Sequence, residues 1–278
     1  MSSTRPREFQ FTEEDFESIR KMMLERTGIS LSRAKQPMVY SRLARRLREL
    51  NIDSFRAYID RLRENVDGEF TELVAALSTN VTSFFREAHH FRCLRDQVLP
   101  ELQSRSRDGI CIWSAGCSTG EEPYSIAMTL CEALPTDELR RARVLATDIS
   151  EAALAEAREA IYPMEEVKGL DREQLRRWFH RGAGPHEGKV RVKPEIGNMV
   201  EFRQMNLFGD WDLGVQPDVI FCRNTIIYFD REHKEKLIER FANVLTDRGY
   251  LLIGHSETLH GLSERFRLMG QTVYQKVD

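Results

Sequence analysis

Over residues 110–125 the chain reads ICIWSAGCSTGEEPYS, a short strand, a turn of small residues and the opening of a helix. Ile110, Ile112 and Trp113 form the apolar run expected of a parallel strand buried on both faces. Ser114, Ala115, Gly116, Cys117, Ser118, Thr119 and Gly120 then make a turn whose backbone can approach a ligand closely. Glu121 and Glu122 fall in the first helical turn, where carboxylates complement the helix dipole, and Pro123 is tolerated because its missing N–H has no intrahelical partner there. Two acids at this point repel a phosphate and instead accept hydrogen bonds from ribose hydroxyls or an amino group. The turn therefore implies a nucleoside ligand without phosphates.

Outward from this stretch the pattern alternates. A helix is expected over 121–134, a strand over 144–147, and a helix over 150–161 with Ser150 as its cap, which is the pattern of a parallel sheet covered by helices. Asp148 ends the second strand, where doubly wound folds hold an acid against ribose hydroxyls; it also suits the capping of the next helix. Further on, Asn206 and Leu207 end one strand and 219–222 forms another. Arg223, Asn224, Thr225, Ile226, Ile227 and Tyr228 follow at its C-terminal end, where open α/β sheets bind ligands. A helix over 231–245, a strand over 250–254 and an apolar stretch over 266–277 complete the sheet. Between 171 and 205 the alternation breaks. A helix end runs into a strand at 175–179, a turn-rich loop spans 181–188, and Val190 and Val192 alternate with Arg191 and Lys193 before a short strand at 199–202. This reads as a small antiparallel insert at about 175–200, with a strand edge available to a partner.

The N-terminal third is helical in pattern. Thr12 and Asp15 make a capping pair and Phe11 and Phe16 a hydrophobic staple. A helix over 36–50 puts Val39, Leu43, Leu47 and Leu50 on one face, turning Arg45 and Arg48 outward with Arg42 and Arg46 on the flanks. From 31 to 50 the one acid is Glu49, against Arg33, Lys35 and those four arginines, so the helix is either a solvated face or a docking surface for an acidic partner. Two more helical patterns, around Phe55 to Leu62 and Phe70 to Leu77, are parted by Asp67 and Gly68. A helical domain over 1–76 and an α/β domain over 77–278 are expected.

The whole chain of 278 residues carries a formal charge of -3, which gives no reason to expect nucleic acid. No apolar run reaches the roughly 20 residues of a membrane span and MSSTRPREFQ lacks a signal-peptide core, so a cytoplasmic monomer, not embedded in a membrane, is expected. Five cysteines without a CxxC pair imply reduced thiols, and scattered histidines, with His89 and His90 adjacent, imply no metal site.

The segments TNVTSFFRE, WSAGCSTGEEPYS, ATDIS, RGAGPHEGKVRV, MNL and CRNTIIYFD, in this order across almost the whole chain, resemble the CheR family of chemotaxis receptor methyltransferases. The resemblance implies a helical N-terminal domain, a doubly wound S-adenosylmethionine domain and an antiparallel β-subdomain inserted into it. It implies methyl transfer from S-adenosylmethionine to glutamate side chains on the cytoplasmic helices of chemoreceptors, giving glutamyl methyl esters and S-adenosylhomocysteine. Carried over by position, the cofactor site comprises Asn80, Thr82, Arg86, Glu122, Asp148, Asn206, Leu207, Asn224 and Thr225. The family usually has Val and Met where this chain has Thr225 and Ile226. The basic helix with Arg42, Arg45, Arg46 and Arg48 becomes the receptor-docking surface. The loop with Arg181, Gly182 and Gly184, with Arg191 beyond it, resembles the form that binds a receptor's C-terminal peptide.

The chemistry suits these residues. A glutamate carboxylate is ionised at neutral pH and needs no base, so catalysis requires in-line placement and removal of water. Arg86 and Tyr228 are the candidates for holding the carboxylate or the cofactor in line, neither as a proton shuttle. Three other classes compete. A nucleic-acid methyltransferase would use the arginines near Arg45 on phosphates and show steep salt dependence. A non-catalytic receptor adaptor would have a damaged pocket. A nicotinamide dehydrogenase would need the absent GxGxxG.

Overall fold

The structure is a computed structural model that describes residues 8–64, 66–78, 81–105 and 109–277. It divides into two compact units, one spanning 1–79 together with Tyr228–Asp230, the other 80–227 and 231–278.

In the first unit, the helix Glu13–Thr27 opens with the capping box foreseen from Thr12 and Asp15, and Gly28 ends it in the left-handed conformation at φ 71°. The staple rings of Phe11 and Phe16 meet edge to face at 6.4 Å. Helices Gln36–Leu50, Phe55–Glu64 and Glu69–Leu77 follow. Phe16, Ile19, Val39, Leu43, Leu47, Phe55 and Leu62 are fully or almost fully buried, so the apolar stripes close on one core. The segment Tyr228–Asp230 belongs to this unit: the Ser30 N–H donates to the Tyr228 carbonyl at 2.7 Å and Phe229 bridges Ile29.

The second unit holds ten strands among the described residues: β1 Cys111–Ala115, β2 Arg143–Asp148, β3 Ile161–Pro163, β4 Phe179–Arg181, β5 Lys189–Val192, β6 Val200–Gln204, β7 Val219–Cys222, β8 Tyr250–Ile253, β9 Phe266–Gly270 and β10 Val273–Lys276. The main sheet runs β6-β2-β1-β7-β8-β10-β9. Its first five strands pair in parallel, and β10 and β9 turn back as an antiparallel hairpin. β1 is buried along its whole length, as its apolar run predicted, and the strand order reverses beside it, so β1 and its neighbours β2 and β7 converge on a switch-point crevice. The helices Glu121–Ala133, Glu151–Glu159 and Arg231–Val244 link these strands.

The insert is a three-stranded antiparallel sheet in the order β3-β5-β4. It begins earlier than the sequence pattern suggested, because Ile161–Pro163 leaves the preceding helix to pair with Lys189–Arg191. The strand expected at 199–202 does not join it. Val200–Gln204 runs parallel to β2 as an edge of the main sheet, with Val144 opposite Val200 and Asp148 opposite Gln204. A short alternating segment carries no mark of which sheet it will extend.

Candidate active site

The small residues after β1 fold back on the end of β2. The N–H groups of Gly116 and Cys117 both donate to the Thr147 carbonyl, at 2.8 and 2.9 Å. Gly116 has φ 88°, and a Cβ there would stand 2.5 Å from Thr225 Oγ1, so the turn closes directly onto the segment after β7. Four residues other than glycine around these strand ends have positive φ, namely Phe85 at 51°, Glu87 at 56°, Ser118 at 52° and Asn224 at 56°. Such conformations persist where the surrounding structure enforces them, and they collect at functional sites.

Asp148 receives main-chain donors on both oxygens, Ser118 N–H on Oδ2 and Ser150 N–H on Oδ1, each at 2.9 Å. Burial pushes its carboxyl above the ordinary aspartate range, while these N–H groups pull the other way. The cap of the following helix is Ser150, whose Oγ accepts the Ala153 N–H, while Asp148 fixes the turn with oxygen lone pairs left over. Glu122 is held differently. Ser114 Oγ donates to Oε1 and Arg223 Nε to Oε2, both at 2.7 Å, and the Arg223 and Glu122 side chains are only 2% and 8% exposed.

The loop carrying Thr82 and Arg86 reaches the same strand ends. The Phe85 N–H donates to Ser125 Oγ at 2.9 Å, and Arg86 folds over its own loop to donate to the Val81 carbonyl at 2.8 Å. Thr82 is half-buried beside it, and Asn80 lies outside the described residues. Beyond β6, Asn206 Oδ1 accepts from Phe208 N–H at 3.0 Å. Arg240, stacked 3.9 Å over the Trp211 ring, donates to the carbonyls of Leu207 and Gly209. The Asn224–Thr225 segment is held by Glu257, whose buried carboxylate accepts Asn224 N–H at 2.9 Å, Ile227 N–H at 3.0 Å and Gly254 N–H.

Glu122, Asp148, Asn206, Leu207, Asn224, Thr225 and Arg86 thus all belong to one unit, on or beside the ends of its strands. Tyr228 falls in the other unit, where Lys35 Nζ lies 5.2 Å from its ring centre. Sequence reasoning missed Arg240 and Glu257, which fasten the site without any local motif, and placed Arg223 at the ligand-binding strand end without giving it a role. Glu87, His89 and His90 offer ligand atoms within 4.8 Å of one another, but His90 Nδ1 faces the Arg223 guanidinium at 3.2 Å, which disfavours a cation there.

The four arginines of Gln36–Leu50 separate into two kinds. Arg42 caps a neighbouring helix end through the carbonyls of Ala76 and Ser78, at 3.1 and 2.7 Å. Arg46 grips the buried Glu69 with two bonds of 2.9 and 2.8 Å, and Tyr58 Oη donates to the same carboxylate at 2.9 Å. Arg45 and Arg48 are 78% and 58% exposed, with only surface partners in Glu49 and Glu8.

In the insert, Gly182 is required sterically, since a Cβ there would meet the His186 carbonyl oxygen at 2.0 Å, and Gly184 takes φ 57°. Arg181 borders a groove of 460 Å³ whose apolar walls are Met164, Leu175, Phe179 and Val190, with Arg172 and Arg176 beside it. Arg191 follows Val190 on β5, and strand alternation turns it to the opposite face. Arg181 and Arg191 therefore do not form one clamp; Arg172 and Arg176 are the cations that share the groove with Arg181.

The donor set fits a nucleoside cofactor bearing a cationic end: carboxylates where hydroxyls and an ammonium can donate, and a closely approachable turn. Comparison with known proteins agrees. Residues 80–275 match the domain described as CheR methyltransferase, SAM binding domain, and residues 14–78 match CheR methyltransferase, all-alpha domain. Chemotaxis protein methyltransferase 2 of Pseudomonas aeruginosa is 46% identical over 268 residues, covering 96% of this chain and 94% of that protein. The chemotaxis protein methyltransferase of Escherichia coli is 46% identical over 262 residues, covering 93% of this chain and 89% of that protein. S-adenosylmethionine is the cofactor, and this chain belongs to the CheR family of chemotaxis methyltransferases.

Proposed function

We propose that the protein is a cytoplasmic, monomeric protein-glutamate O-methyltransferase that esterifies glutamate side chains on the helical cytoplasmic region of chemoreceptors. The observation that carries this reading is the convergence of Glu122, Asp148, Arg86 and the Asn224–Thr225 segment on the ends of β1, β2 and β7 in a chain of this family. No helix of the described residues is long and apolar enough to cross a membrane, in keeping with an enzyme that meets its receptor from solution.

Bound S-adenosylmethionine supplies a methyl group on a sulfonium sulfur. The substrate glutamate is ionised at neutral pH, its ordinary pKa being about 4.3, so an oxygen lone pair is available without a base. A C–O bond forms as the C–S bond breaks, the electron pair stays on sulfur as S-adenosylhomocysteine, and no proton moves. The chain's own part is placement. Asp148 accepts from the ribose hydroxyls, Glu122 from the ammonium, and Asn206, Leu207, Asn224 and Thr225 border the remaining nucleoside, with Thr82 beside it. Arg86 aligns the glutamate and the methyl group, and exclusion of water raises the value of that alignment.

Arg45 and Arg48 form the docking face for acidic receptor helices, since Arg42 and Arg46 are engaged within the helical unit. The insert tethers receptors by a C-terminal peptide, adding it to a free strand edge near Gly182 and Gly184. Arg181, Arg172 and Arg176 hold its carboxylate and the groove receives an apolar side chain. Such a tether raises local concentration without entering the chemistry. Mass spectrometry of a purified receptor fragment after incubation with enzyme and cofactor tests the activity: glutamates heavier by one methyl group and labile to base are expected, and an unmodified receptor overturns it. Titration with a receptor-tail peptide tests the tether, which Arg181→Ala with Arg172→Ala abolishes while cofactor affinity is retained.

A further inference from the structure

Arg223, the first residue after β7, is a buried cation joined to two parts of the site that come from distant stretches of chain. Its Nε donates to Glu122 at 2.7 Å, and its Nη1 donates to the Arg86 carbonyl at 2.5 Å and faces His90 Nδ1 at 3.2 Å. The rings of Phe91 and Phe221 lie 5.3 and 5.8 Å from the guanidinium carbon. His90 Nε2 lies 3.1 Å from the Gln271 carbonyl, which can only accept, so Nε2 carries the hydrogen and Nδ1 is the acceptor for Arg223. His90 is thus neutral, and the anion hydrogen-bonded to Arg223 is Glu122. Asp148, by contrast, accepts from the main-chain N–H groups of Ser118 and Ser150.

A pair serving only the fold could be set anywhere in the core. This one is set on the carboxylate at the head of the cofactor helix and on the main chain of the Arg86 loop, whose flanking residues Phe85 and Glu87 have left-handed backbone. We propose that Arg223 is a positioning residue for methyl transfer, which holds Glu122 and the Arg86 loop in place and sets the pocket's charge so that sulfonium substrate and neutral thioether product bind with comparable strength. A pocket with Glu122 unneutralised would favour the cation and reject the product's form. The inference rests on the S-adenosylmethionine reading of this site.

Isothermal titration of full-length protein with S-adenosylmethionine and with S-adenosylhomocysteine, in parallel with melting curves, tests it. In Arg223→Gln the ratio of substrate to product affinity is expected to rise about tenfold, the order of one unit charge acting inside a protein. Arg223→Lys keeps the wild-type ratio, and Glu122→Gln, which leaves the cation unopposed, lowers it. Arg223→Gln with Glu122→Gln restores the ratio because both charges are gone. Equal loss of both ligands in Arg223→Gln, or a shifted ratio that persists in the double variant, overturns the proposal. Should Arg223→Gln fail to fold, Glu122→Gln decides alone: an unchanged ratio there overturns it. Failure of the wild-type protein to bind either ligand would instead overturn the cofactor reading itself.

Discussion

The arginines of the Gln36–Leu50 helix and the lone Arg223 at the end of β7 use one side chain in opposite ways. On the outward face of the helix, Arg45 and Arg48 project into solvent and meet acids that are themselves exposed. At the strand ends, Arg223 is sealed between aromatic rings and a buried carboxylate. An exposed pair contributes roughly 0 to 1 kcal/mol and leaves its charge available to a partner, whereas a buried pair is costly to break and fixes geometry. On the proposed reading, exposed charge in the helical unit serves association and buried charge at the strand ends serves placement. Within the same helix Arg46 already behaves like the buried kind.

That contrast is most exposed to failure at Arg46. Arg46→Ala leaves Glu69 buried with only Tyr58 to donate, and a loss of about 3 kcal/mol is expected in denaturant unfolding, against under about 0.5 kcal/mol for Arg45→Ala. Equal costs would erase the distinction. At the strand ends, Asp148→Ala removes an acceptor without altering the fastening of Glu122, and calorimetry should find cofactor binding weaker by about 1 to 3 kcal/mol. Unchanged affinity in a folded variant would return Asp148 to a purely structural place.

A smaller effect concerns pH. Burial first, and the Arg223 charge second, push the His90 imidazole down to about 4. The unfolded chain, with its ordinary pKa of about 6.5, takes up a proton first as pH falls. His90 thus contributes stability that is complete above about 6.5 and is lost toward 4, roughly 1.3 kcal/mol of it between pH 7.5 and 5.5. His90→Gln should flatten the unfolding free energy by that amount relative to wild type over the same interval, and parallel curves would contradict a neutral, buried His90. The smallest effect tests the outward face. Arg45→Glu with Arg48→Glu should lower kcat/KM for receptor about fivefold at low salt, with cofactor affinity unchanged. Indifference to the reversal would leave the helix a solvated surface.

The features readable in advance were those written locally. The Gly116 turn, the cap at Thr12, the staple of Phe11 on Phe16 and the break at Gly68 ahead of the helix Glu69–Leu77 each depend on a few consecutive residues and stand where the pattern put them. Asp148 was legible because a strand end is a place as well as a residue. The fastening residues were not. Arg223 meets Glu122 across 101 positions of chain, and Glu257 meets Asn224 across 33. An arginine bonded to carbonyls, as Arg240 is to Leu207, looks in sequence like any surface cation. The same limit misassigned Val200–Gln204, whose sheet is chosen by the neighbouring β2 and not by its own alternation. It also joined Arg181 to Arg191 in one clamp, although Arg181 pairs with Val190 and the next residue, Arg191, turns to the other face of the sheet.

The stacking of Arg240 on Trp211 has a practical side. Trp211 lies 4.9 Å from Trp113 in the core of the unit, and its guanidinium cover is the same group that grips the Leu207 and Gly209 carbonyls. An indole's emission follows the electric field across its ring, so any shift of the Leu207 loop that drags the cation is written into the fluorescence of Trp211. If the cofactor moves the Leu207 loop on binding, Trp211 emission should change in a stopped-flow instrument without a label, with Trp211→Phe as the blank.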